Sequence, residues 1–284
     1  MQVLPSQVSA FSCLSNHICL LTWGELAVGS LCESPMHVPL FTLSLCRCSI
    51  SMTAVSLATY TRKQNMRAYT LVGEEWLLIV REQRKNTQML SSRISNAFQS
   101  TVDKFGRLDI VINNAGINNE KNWEKTIQVN LTSVIKGTYL ALEHMSKEYG
   151  KEGGIIINVS SMAAFLHSPH QPVYTATKHG VIGFTRAMAD ASSLGNYGVR
   201  INVLCPAFVD TPLLHSVEHE DNMGKFVKFK DDFKRSMSKF GVLQPSLIAE
   251  GMMRLIVDSS LNGAVMKITC SKGIHFHTYE PMSA

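Results

Sequence analysis

Four short apolar runs constrain this chain more than any other feature: LDIVIN (Leu108–Asn113), IIINV (Ile155–Val159), VRINVL (Val199–Leu204) and AVMKIT (Ala264–Thr269). A strand exposed on one face alternates apolar and polar residues. A short run that stays largely apolar belongs to a strand covered on both faces, as in a parallel sheet. The segments between the runs have helical length. Their patterning predicts helices over about Trp123–Tyr149, Pro172–Leu194 and Leu247–Asp258. Another ends at Gly106, its apolar face made by Leu90, Ile94, Phe98, Val102 and Phe105 at three- to four-residue spacing. Strands alternating with helices in this way predict βαβ units in a doubly wound parallel α/β sheet. The polar stretch Thr211–Lys239 reads as a mobile connection.

That organisation covers only part of the chain. In the first 60 residues the charged side chains are Glu25, Glu33 and Arg47, and ordinary charge density begins at Arg62. The reading divides the chain into an atypical segment, 1–92, with no period of 2 or 3.6, and an organised region, 93–284. Cys13, Cys19, Cys32, Cys46 and Cys48 fall in the first part without metal-site or CxxC spacing. Cys205 and Cys270 sit in apolar runs and read as buried free thiols of a reducing compartment. The net charge of +5 is spread along the chain, which argues against nucleic acid as a partner. The first residues lack the basic opening of a secretory signal. Met36–Tyr60 is charge-poor but broken by Pro39 and Arg47, short of the roughly 18 continuous apolar residues of a membrane span. The expectation is a cytoplasmic protein without a membrane span.

The chemistry concentrates on Ser161, Tyr174 and Lys178. Tyr174 and Lys178 stand four apart on a predicted helix and share a face. An ammonium beside a phenol favours the phenolate and lowers the tyrosine towards the range of a general base. Ser161 follows a predicted strand, where its hydroxyl projects at the carboxyl edge of the sheet. Together the three can take a proton from an alcohol while hydride leaves its carbon. A second motif, His215-Ser216-Val217-Glu218-His219, has the HxxEH spacing of a zinc peptidase, and on one helix His215 and His219 would share a face. It lies in the polar connection and reads better as part of a solvated substrate lid, with no metal. Asn130 and Asn158 open glycosylation-type triplets, one in a helix and one in a buried strand, and read as coincidences.

NNAG (Asn113–Gly116), Asn130, IIINVSS, YTATK (Tyr174–Lys178) and CPAFVDT (Cys205–Thr211), in this order, resemble the motifs of the short-chain dehydrogenases. The resemblance runs from about 93 to 280. GRLDIVINNAGINNEKNWEKT, QPVYTATKHG, LNGAVMKIT and SKGIHF resemble the branch that oxidises the 15-hydroxyl of prostaglandins. It implies a Rossmann-like fold, NAD as cofactor, a prostaglandin or hydroxy fatty acid as substrate, and a homodimer built on the helices Trp123–Tyr149 and Pro172–Leu194. It further implies Tyr174 as base, Lys178 lowering its pKa and holding the nicotinamide ribose, and Ser161 bonding the reacting hydroxyl. Asn130 would complete a proton relay, or else bend or cap its helix. Gln171 would contact substrate, or else be an ordinary exposed residue before Pro172. Asn114 and Val209, Asp210 and Thr211 would contact the dinucleotide.

The departures fall in the first part. The family opens on a strand and TGxxxGxG, whose glycines let backbone amides approach the pyrophosphate. Within 1–92, Gly24, Gly29 and Gly73 stand isolated. The first βαβαβ half of the fold is therefore missing or replaced. Its loss from the family's strand order, 3-2-1-4-5-6-7, would leave Leu108–Ala115 as an uncovered edge; Glu75–Arg81 is one candidate replacement. The lost loop also motivates an alternative, an inactive chain acting only by dimerisation. Ala207 stands where the family has glycine and requires a negative φ.

Overall fold

The computed structural model describes residues 95–279 except Ala97 and Lys104, together with the backbone of two strands nearer the N-terminus. Seven strands make one sheet, in the order in which they occur along the chain. They are β1 (Ile18–Leu20), β2 (Ala68–Leu71), β3 (Ile110–Asn113), β4 (Gly154–Val159), β5 (Val199–Pro206), β6 (Val265–Thr269) and β7 (Gly273–Phe276). β1 to β6 are parallel, and β7 turns back antiparallel on β6. The uncovered edge expected at β3 is corrected here. Ala68–Leu71 pairs with Ile110–Asn113 along its length, and β1 pairs with β2. Parallel pairing satisfies the row of N–H and C=O groups that a bare β3 would present. The early strands of the sheet are replaced by other segments. Glu75–Arg81 lies outside the described residues.

The absence of alternation in the strands follows from how the two faces are used. Ile110, Ile112, Ile155, Ile157, Leu204 and Ile268 point to one face, where they pack with Ile248, Leu255 and Ile256. Val111, Ile156, Val199 and Ile201 point to the other and meet Phe98, Ala141, Leu142, Met145 and Ala189. The first layer belongs to α7 (Pro245–Val257), the second to α2 (Ser133–Met145) and α3 (Pro172–Leu194). Phe98, Val102 and Phe105 join the second layer from residues in helical conformation, and Gly106 (φ 82) donates to the Val102 carbonyl as a C-terminal stop.

Several boundaries depart from expectation. The helix expected over Trp123–Tyr149 is α1 (Trp123–Ile127), a π-helical turn over Gln128–Thr132, then α2, then a separate 3₁₀ turn over Lys147–Tyr149. β5 runs two residues past Leu204, because Ala207 N–H takes up the ladder to Ile268 beyond the donorless Pro206. The stretch Thr211–Lys239 is helical throughout most of its length: α4 (Pro212–Ser216), α5 (Glu220–Met223), a 3₁₀ stretch over Gly224–Phe229 and α6 (Lys230–Phe240). Its polarity belongs to outward faces, while Leu214, Val217, Met223 and Phe233 bury one another. Cys205 is buried, and burial pushes its thiol up to about 12; Cys270 is exposed, one residue past β6, where the run has left the sheet. Ala207 is not among the residues with positive φ. No helix among the described residues is long and apolar enough to cross a membrane.

Gly153 shows how tightly β4 is entered. Its φ is 92, and a Cβ there would overlap the backbone carbonyl of Gly198. Left-handed backbone costs a side-chain-bearing residue about 1–2 kcal/mol, and overpacking adds about 1–3 kcal/mol. Gly153→Ala is expected to lower stability by at least about 2 kcal/mol, read as a shift of the urea midpoint at unchanged slope.

Candidate active site

Because β3, β4 and β5 are parallel, their carboxyl ends share one edge, the place where open α/β sheets bind ligands. Ser161 lies two residues beyond β4 and caps the 3₁₀ turn Met162–Ala164, accepting the Ala163 N–H at 3.1 Å. Tyr174 stands in the first turn of α3 and is 8% exposed. The Ser161 hydroxyl is close enough to the Tyr174 phenol to favour its ionised form. Lys178, one turn further along, is 3% exposed. Its Nζ donates to the Val159 carbonyl at 3.0 Å and lies 5.6 Å from the centre of the Tyr174 ring. The helix is docked by Ser160, whose hydroxyl donates to the Lys178 carbonyl at 2.7 Å.

Burial dominates the electrostatics. It holds the Tyr174 phenol above its ordinary value, and the nearby Ser161 hydroxyl pulls the other way. It lowers Lys178 to about 8. In this structure the group that opposes desolvation of the Tyr174 phenol is Ser161 rather than Lys178.

Asn130 sits in the π-helical turn and is fully buried. Its Oδ1 accepts the Ile117 N–H and its Nδ2 donates to the Ile117 carbonyl, both at 2.8 Å, with Thr177 Oγ1 a further 3.3 Å partner. The wide turn swings this carboxamide out of the helix ladder and onto the strand-end loop. A methyl on Gly116 would sit 3.6 Å from both Asn130 Oδ1 and Lys178 Nζ, so the two flank that glycine. Asn158 is fully buried too and bonds Asn113 and Thr185, so neither glycosylation-type triplet is accessible.

Gln171 is buried rather than exposed. It is the N-cap residue of α3 but its side chain makes no capping bond. Its Oε1 accepts from Asn118 Nδ2 at 2.7 Å. Two buried residues that the sequence reading missed flank it. Glu120 accepts the N–H groups of Val173 and Tyr174, at 3.0 and 2.9 Å, capping the helix from another loop. Burial raises its carboxyl, against those two bonds and the nearby His170. His170 itself is sealed between the carbonyls of Phe226 (Nδ1, 3.0 Å) and Val217 (Nε2, 2.8 Å) and packs on Phe233, tying the helical stretch that follows β5 to the start of α3. A signal for Glu120 exists in retrospect. A helix that opens on Pro172 behind a glutamine has no capping side chain of its own and must draw an acceptor from elsewhere.

The remaining residues share the edge but not the hydrogen bonds. Asn114 follows β3 directly. The Val209–Thr211 segment follows β5 and is held by Asp210 N–H to the Leu243 carbonyl and Leu243 N–H to the Phe208 carbonyl, 3.0 and 2.7 Å. Among the described residues, no hydrogen bond joins Asn114, Val209, Asp210 or Thr211 to Tyr174 or Lys178. The zinc reading is corrected: His215 lies in the last turn of α4 and is 3.7 Å from Asp210, whereas His219 precedes α5, so the two share no helix face. Among the described residues no group of three metal-ligating side chains converges.

The family model described as short chain dehydrogenase matches residues 86–222. The 15-hydroxyprostaglandin dehydrogenase of Mus musculus, designated NAD(+), is 59% identical over 188 residues, 66% of this chain and 70% of that protein. The Homo sapiens protein of the same name is 57% identical over 188 residues, 66% of this chain and 71% of that one. The crystal structure of levodione reductase superposes with a TM-score of 0.53 at 24% identity, over 78% of this chain and 83% of that one, a likeness of fold alone. A serine at a strand end meeting a tyrosine and a lysine one helical turn apart thus stands in a chain that matches the family model and 70% of a curated member. This chain belongs to the short-chain dehydrogenase family.

Proposed function

We propose that this chain oxidises the 15-hydroxyl of prostaglandins and related hydroxy fatty acids to the ketone, with NAD⁺ as acceptor. The Ser161–Tyr174 hydroxyl pair beside the Lys178 ammonium carries the reaction type; the likeness to the mouse and human proteins carries the substrate class. The donor set suits a dinucleotide. Lys178 is a buried ammonium with a single hydrogen-bond partner among the described residues, leaving two hydrogens for the hydroxyls of a ribose. When bound, NAD⁺ supplies the acceptor for the hydride leaving the carbinol carbon. Ser161 holds the reacting hydroxyl, Tyr174 takes its proton, and Asn130 completes the proton relay. Gln171 contacts the substrate, and Asn114, Val209, Asp210 and Thr211 line the dinucleotide. Residues 93–284 form the catalytic region, with 1–92 an atypical segment that lends it two strands. A homodimer through α1–α2 and α3 rests on the family resemblance, and the half-exposed Tyr139 of α2 leaves an aromatic side chain on that face. The inactive alternative finds no support in the likenesses.

The test is an NAD⁺ titration by calorimetry, followed by the rate of prostaglandin oxidation. Binding is expected at millimolar NAD⁺ or below, with turnover that falls by about a hundredfold in Ser161→Ala, the loss typical of one removed hydrogen-bond donor at a reacting oxygen. Absence of binding at millimolar NAD⁺ would overturn the reading.

A further inference from the structure

The loop Asn118–Glu120 follows the end of β3 and reaches across more than fifty residues to the start of the catalytic helix. Pro172 brings no N–H, so Val173 and Tyr174 carry the first backbone donors of α3, and Glu120 accepts both. The N-cap side chain is thereby released from the work its position usually does. Gln171 spends its oxygen on Asn118 Nδ2, and its Nε2 has no partner among the described residues. Asn118 is poorly served in return. Its Oδ1 is buried and has no partner among the described residues. A buried orphan acceptor is costly, and an apolar residue there would remove that cost. What asparagine supplies is the donor that meets Gln171.

We propose that Asn118 is a positioning residue for the reaction: it fixes the Gln171 carboxamide with its oxygen turned inward and its N–H₂ edge turned to the substrate, while Glu120 caps the helix in place of Gln171. The proposal rests on the reading that Gln171 contacts substrate. Gln171 then selects substrates that offer an acceptor oxygen near the reacting hydroxyl, and this selection depends on a residue that touches no substrate.

A double-mutant cycle on the full chain tests it, with Asn118→Ala, Gln171→Leu and the double variant assayed on a 15-hydroxyprostaglandin with NAD⁺. Each single change is expected to raise KM by about tenfold with kcat altered less than about threefold, and the double change to raise KM no further than Gln171→Leu alone, the signature of residues acting as one unit. An unchanged KM in Asn118→Ala, or a double variant whose KM rises by the product of the two singles, would overturn it. A second readout does not depend on turnover. The Gln171 side-chain amide signal in ¹⁵N NMR, assigned by its loss in Gln171→Leu, is expected to be rigid in the parent and mobile on the nanosecond scale in Asn118→Ala. An amide equally rigid in both removes the positioning role. Mobility gained in a chain that oxidises no prostaglandin keeps the positioning role and sinks the substrate reading instead.

Discussion

Tyr174→Phe lowers the rate of hydroxyl oxidation by about a thousandfold or more and leaves the stability of the fold within about 1 kcal/mol of the parent. The two halves of this expectation come from the same geometry. Phenylalanine keeps the ring, which is buried at the start of α3, and so keeps the packing of the site. The single atom lost is the hydroxyl oxygen, which the Ser161 hydroxyl neighbours. Ser161 retains the Ala163 N–H at 3.1 Å, so its oxygen is not orphaned. Burial holds the phenol above its ordinary value, so oxidation by the parent rises with pH as the tyrosine gives up its proton. In the phenylalanine variant that rise disappears with the rate. Initial rates between pH 6 and 10, beside urea unfolding of both proteins, give the answer. A variant within tenfold of the parent would show that another group takes the proton.

What could be read from the sequence was local or periodic. Ser161, Tyr174 and Lys178 were legible because a strand end and an i, i+4 pair are fixed by local structure alone. β3 to β6 were legible because continuous apolar runs are required of doubly covered strands. The contacts of Asn118 and Glu120 with α3 cross 53 and 54 residues, and no local pattern records them. The π-helical turn at Asn130 was hidden for a related reason: one extra residue in a turn barely disturbs a helical period, yet it decides where the carboxamide points. The helices of 211–240 were missed because short helices with a narrow apolar stripe look polar on average, and Leu214, Val217, Met223 and Phe233 are too scattered to mark a core. Ala68–Leu71 carries neither a long apolar run nor a turn signal, and its place in the sheet follows from β3 requiring a partner.

Lys178→Met separates what the site needs from what the fold prefers. The variant is expected to be more stable than the parent at pH 7, while oxidation falls by about a thousandfold, comparable to loss of a catalytic member of such a set. Burial moves the Lys178 ammonium from 10.5 to about 8, and at 1.36 kcal/mol per pH unit the charged form costs the folded state about 3 kcal/mol. Methionine avoids that cost, fills a similar volume, and forfeits the hydrogen bond to the Val159 carbonyl, about 1 kcal/mol. The net gain is about 2 kcal/mol. Its pH dependence has a definite sign. Below about 8 the lysine is protonated in both folded and unfolded chains, and the penalty is complete. Between about 8 and 10.5 the unfolded chain holds the proton more firmly than the folded one, so stability contributed at this position rises with pH and the penalty fades. The advantage of Lys178→Met should therefore be largest at pH 7 and shrink towards pH 10, as read from urea midpoints at the two values. A variant less stable than the parent at pH 7 would mean that the ammonium is held by partners strong enough to repay its burial, and that the lysine is part of the fold's own support rather than a charge kept for the reaction.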